Sequence, residues 1–218
     1  MIKNSIFITV FLLFAPVLLF SQKVTDSFNT IEVNTPVSIS YLGDYLFSKP
    51  GVNLTIENTI RQTILTKKSS KIVTRSVYVP INLGWYYHKG YNSAIMLSSG
   101  IGCRTLRSTG LFYGSALNLG VMRTFINGPT YVVNGEDIST VTGGYFYGNI
   151  MASFETGWDL SKCRKSLPVS TFVKLNALIQ FPYNSGILFH IMPEIGLRYA
   201  IPLKDKTKQY YKSKTQKI

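Results

Sequence analysis

The chain carries two imidazoles, His88 and His190, each with a serine five residues away, Ser93 and Ser185. Serine, histidine and an acid are the groups that acyl transfer needs as nucleophile, base and orienter. Near a membrane they would suit a lipid hydrolase or an acyltransferase. No G-x-S-x-G elbow surrounds either serine, and no single carboxylate stands out as the third member. Cys103 and Cys163 are the two cysteines. They lack CxxC spacing, so a thiolate metal site has no support. The glycines do not fall as G-x-x-x-x-G-K, so no phosphate cradle is indicated. The expectation is no catalytic residue, no metal and no cofactor.

A second set of reactive groups has a clearer pattern. In "ILFHIMPEIGLRYAIPL", residues 187–203, apolar side chains occupy every second position from Ile187 to Leu203. His190, Glu194 and Arg198 stand on the alternate positions. Glu57, Arg61, Arg104, Glu155 and Lys174 fall on the same alternate phase in other segments. Carboxylates and cations sharing one phase are suited to pairing with each other.

Period-2 alternation belongs to strands, and it recurs in eight segments. They are "PVSISYLGDYL", Val52 to about Leu65, Ile72 to Tyr87, "SAIMLSSGIGCRT", "TGLFYGSALNLGVM", "YFYGNIMASFETGWDL", "VSTFVKLNALIQF" and the stretch quoted above. Most links are too short for crossover helices and suit antiparallel hairpins. One long loop, residues 125–143, separates the fifth and sixth segments. Eight sequential antiparallel strands describe an all-β, up-and-down barrel with no open edge.

The alternate face decides which side is outside. It carries Gly84, Gly100, Gly102, Gly114, Ala116, Gly120, Gly148 and Gly196 beside the charged residues. An eight-stranded barrel has an interior just filled by side chains, so small residues there make room for long polar ones. Each Lys or Arg aimed into lipid at midplane would cost roughly 2–4 kcal/mol. The apolar face is therefore expected to meet lipid and the charged face to line the lumen. The fold expected is a transmembrane β-barrel. The alternative is a soluble lipocalin-like barrel with its oily face inside. A pore would be another form of the membrane barrel, but a lumen of this width should be blocked. Trp85, Tyr87, Tyr91, Tyr145 and Trp158 are the expected interface aromatics, with Tyr86 and Tyr147 grouped beside them.

Residues 1–21 read as a cleaved secretory signal: Lys3, then "IFITVFLLFAPVLLF", then Ser21. The barrel is expected over 22–203, followed by a basic, flexible periplasmic tail over 204–218. The net charge of +13 would suit nucleic acid, but an exported protein does not meet it. With the N-terminus in the periplasm, most surplus positive charge falls on that side, in "TKKSSK", "RTLRS", "SKCRKS" and the tail. Cys103 and Cys163 lie a strand apart, near the roughly 7 Å limit for a bridge, and are expected to stay unpaired.

"FSQ", "SYLGDYLFSKPGVNLTIE", "LNLGVMRTFINGPTYVV" and "IQFPYNSG" resemble segments of the small outer-membrane β-barrel proteins of Bacteroidota. A basic tail follows Leu203 where many outer-membrane barrels end on an aromatic residue. The resemblance implies fold and location, the outer membrane, and no chemistry. The expected function is a non-catalytic structural or interaction role. Outer-membrane lipids are the expected partners, and the 125–143 loop is the expected contact surface. The alternative is a lipid A deacylase or acyltransferase type of enzyme.

Overall fold

A computed structural model describes residues 35–44, 49–66, 72–134, 137–141, 143–162, 167–183 and 186–201. The expected signal segment, the tail, Cys163 and Ser185 lie outside the described residues. Ten strands follow in order: β1 (Thr35–Leu42), β2 (Gly51–Thr66), β3 (Ile72–His88), β4 (Asn92–Arg107), β5 (Leu111–Ile126), β6 (Thr130–Asn134), β7 (Asp137–Val141), β8 (Phe146–Asp159), β9 (Val169–Tyr183) and β10 (Gly186–Ile201). A 3₁₀ turn, Leu160–Lys162, follows β8.

Eight of these close a ring in the order β1-β10-β9-β8-β5-β4-β3-β2. Every neighbouring pair is antiparallel, and β1 seals the ring against β10 with Thr35 opposite Ile201. The remaining two correct the expectation of an irregular loop at 125–143. Thr130–Asn134 pairs with Asp137–Val141 as a separate two-stranded hairpin. Its alternating Thr, Tyr and Val residues, "TYVVN", have strand propensity enough to pair locally.

The direction of the side chains follows the pleat. Along β10, Ile195 and Leu197 are 59% and 53% exposed, while Glu194 and Arg198 are 2% and 5% exposed. Cross-strand pairing carries the outer phase around the wall: Ile39 opposes Leu54, Leu54 opposes Leu83, Leu83 opposes Leu97, and Leu97 opposes Val121. All five are exposed. The exterior is thus an apolar band, whereas the soluble alternative calls for a polar one.

Glycines on the inner phase have specific neighbours. A Cβ at Gly102 would lie 2.5 Å from the Tyr78 ring, and the two residues are cross-strand partners. The ring covers the bare backbone, an aromatic–glycine pairing that fixes register. Toward the end of the barrel that carries the β6–β7 hairpin, the interior is apolar: Leu42, Tyr86, Ala94, Met96, Met122, Leu178 and Met192 form one buried cluster.

Candidate functional site: the charged lumen

Glu57, Arg104, Glu155 and Arg198 come from β2, β4, β8 and β10 and meet inside the barrel. Arg104 grips Glu57 in a two-pronged pair, Nη1 to Oε2 at 2.7 Å and Nη2 to Oε1 at 2.8 Å. Its Nε donates to Glu155 Oε1 at 2.5 Å. Arg198 Nη2 reaches Glu155 Oε2 at 2.7 Å and Glu57 Oε1 at 3.0 Å. The two guanidiniums therefore bridge the two carboxylates, and the group is electrically neutral. Guanidinium forks match carboxylates in this two-bond geometry, which an ammonium could not.

Three aromatic rings pack against this group. Arg104 lies 4.5 Å above the Tyr78 ring centre and 5.6 Å from that of Phe112. Arg198 lies 4.7 Å from the centre of Phe172 and 5.4 Å from that of Phe112. Their negative faces favour the cations while their edges exclude water.

Glu194 anchors a second layer. Its Oε1 accepts from Ser40 Oγ at 2.5 Å, Asn53 Nδ2 at 3.2 Å and Lys174 Nζ at 3.2 Å, and its Oε2 accepts from Asn176 Nδ2 at 3.0 Å. Three of the four bonds fall on Oε1 and one on Oε2. The network runs on from Asn53 to Thr55, Asn82 and Ser98. A cavity of about 20 Å³ beside Glu57, Asn118, Glu155 and Lys174 is about one water in size.

Two residues expected in this network stand elsewhere. Arg61 is exposed on the outer face. The β2–β3 register slips between Thr59 and Arg61, so two residues of β2 take the place of one. A bulge of this kind re-aims the following side chains, and simple alternation from Glu57 cannot foresee it. His190 is half-buried toward the hairpin end of the barrel and is hydrogen-bonded to none of Glu57, Glu155 and Glu194. Lys49 Nζ lies 3.2 Å from its Nδ1, and Gln180 Oε1 lies 3.3 Å from its Nε2. An ammonium only donates, so Nδ1 accepts and Nε2–H is left to donate. Burial lowers the Lys49 pKa, with Asp44 opposing the shift.

His88 stacks on Tyr91 with ring centres 4.5 Å apart. Among the described residues neither histidine is hydrogen-bonded to a serine, and no three metal-ligating side chains gather. Trp85, Tyr87, Tyr91, Tyr145 and Trp158 are all exposed on the outside. Tyr86 and Tyr147 are corrections to that aromatic group. Each is one residue out of phase with its outward neighbour, so Tyr86 is buried in the apolar interior cluster and Tyr147 packs against it. Tyr78, Phe112, Phe172 and the Asn53–Asn82–Asn176 set were not singled out from sequence. All lie on the inner phase, two-residue steps from Glu57, Gly84, Gly114 or Lys174, so the phase itself was the signal.

No family model matches the chain, and no curated protein matches it. Solved structures similar to it include the N-terminal β-barrel domain of Pseudomonas aeruginosa OprF, at 13% identity and TM-score 0.41, covering 76% of this chain and 97% of that one. Another is the β domain of the Bordetella autotransporter BrkA, at 12% identity and TM-score 0.36, covering 80% of this chain and 74% of that one. Likeness this distant assigns this chain no activity.

Proposed function

We propose that this chain is an integral outer-membrane β-barrel, exported behind a cleaved signal at 1–21, with a structural or interaction role and a lumen closed by polar side chains. One observation carries the reading: an apolar outer wall encloses buried ion pairs. In hydrocarbon every backbone polar group must be bonded within the protein, and a closed ring of strands achieves this. Among the described residues no helix is long and apolar enough to cross a membrane. The barrel strands other than β1 run to 14–17 residues; about 9–11 suffice to span. The segments that resemble small Bacteroidota outer-membrane barrels support the same location.

The closed lumen is supported by the neutral Arg–Glu group and its aromatic packing, with cavities of only about 20 Å³ nearby. With the interior closed, contact falls to the outside, and the β6–β7 hairpin is the element free to supply it. Its two strands pair with each other and not with the ring. The lipid-modifying alternative would need a nucleophile beside a histidine. The ring nitrogens of His190 instead face Lys49 and Gln180.

Cell fractionation with heat-modifiable gel mobility tests the reading. The protein should sediment with outer membranes and migrate faster unboiled than boiled. Recovery in a detergent-free periplasmic extract would overturn it.

A further inference from the structure

The bulge that turns Arg61 outward places it in a row. Arg61 opposes Val77, Arg75 opposes Thr63 and Thr105, and Arg107 opposes Val73. Arg61 and Arg107 are therefore each a diagonal neighbour of Arg75, one on either side, across β2, β3 and β4. Diagonal neighbours in a sheet stand about 7–8 Å apart. All three are exposed, and the row lies toward the barrel end opposite the β6–β7 hairpin. Arg107 is held over the Tyr113 ring, 5.6 Å from its centre.

Like charges side by side on one face of a sheet repel. Every carboxylate paired in the lumen already has its cation, and among the described residues none of the three arginines forms a salt bridge. A buried Glu57 stands just before the bulge, yet the extra residue moves Arg61 away from it. The row thus presents unneutralised guanidiniums immediately beside the apolar band.

We infer that Arg61, Arg75 and Arg107 form a binding row for the phosphates of anionic phospholipid headgroups. Guanidiniums bind phosphate oxygens through paired N–H donors, and the hydroxyls of Thr63 and Thr105 flank Arg75 with further donors. The acyl chains of the same lipid would lie along the apolar wall. This inference rests on the membrane reading, so its test separates the two.

The full-length mature protein is folded into phosphatidylcholine vesicles and into vesicles that also contain phosphatidylglycerol. Insertion is scored by gel mobility, and lipids that co-purify in mild detergent are counted by native mass spectrometry. Wild type should insert into both and retain phosphatidylglycerol in preference to phosphatidylcholine. R75Q should lower that preference about fivefold, the equivalent of ~1 kcal/mol for one arginine at a lipid surface. R61Q/R75Q/R107Q should abolish it. R123Q removes the same charge at the opposite rim and should leave it unchanged. Failure to insert into either vesicle overturns the membrane reading and this inference with it. Insertion without lipid preference, or equal losses in R75Q and R123Q, overturns the headgroup row alone. Displacement of the lipid by inorganic phosphate would assign the row to free phosphate and overturn the lipid assignment.

Discussion

Arg198 on β10 and Glu155 on β8 are joined at 2.7 Å although β9 stands between their strands. The bond therefore crosses the interior and does not follow the wall. With Arg104 and Glu57 it ties four strands of the ring together where no backbone ladder does so.

Removing one member of that group should be far worse than removing a surface charge. Arg104→Met leaves Glu57 and Glu155 sharing one guanidinium, with neither Phe112 nor the new thioether able to donate a hydrogen bond in its place. Breaking a buried pair by deleting one partner costs about 3–5 kcal/mol. Urea titration followed by gel mobility should register that loss. A change as small as that of a solvent-exposed pair would mean that the lumen is wet.

The outer wall predicts the opposite sensitivity. Leu117 is exposed on β5, and its cross-strand partners are Ile101 and Ala152. Leu117→Arg should cost roughly 2–4 kcal/mol for the barrel in a bilayer. In a protein whose wall faces water, the same change would cost almost nothing and raise solubility.

Cys103 offers a chemical probe of the same wall. It is exposed, with its Sγ 3.4 Å from Ser115 Oγ. In a Cys163→Ser background, a charged thiol reagent should fail to label Cys103 in bilayers and should label it after unfolding in urea. Prompt labelling in intact vesicles would place that face in water.

Gly102 holds the aromatic packing in place. Gly102→Ala would push a methyl group onto the Tyr78 ring, which packs against Arg104. Overpacking of this kind costs typically 1–3 kcal/mol, readable as a lower urea midpoint. Gly90, whose added Cβ would meet nothing, has a positive φ in an exposed turn and no link to the lumen. Gly90→Ala should therefore strain the turn and leave the interior ion pairs intact.

Single-channel recording tests the closed lumen. Wild type should give a flat baseline in planar bilayers, and steady ohmic steps would contradict the packing of Arg104 and Arg198 on Phe112 and Phe172.

Alternation determined the eight barrel strands and the face on which Glu57, Arg104, Glu155, Lys174, Glu194 and Arg198 stand, because a pleat sends successive side chains to opposite sides, and the short links determined their antiparallel order. It could not determine who meets whom, since register and ring closure are set by pairing across the whole wall. Tertiary structure alone decided that Arg198 reaches past β9 to Glu155 and that Lys174 serves Glu194. It also set His190 against Lys49 and Gln180. Arg61 marks the limit of the pattern: one inserted residue at the bulge inverts the phase, and that insertion becomes visible only where β2 lies against β3.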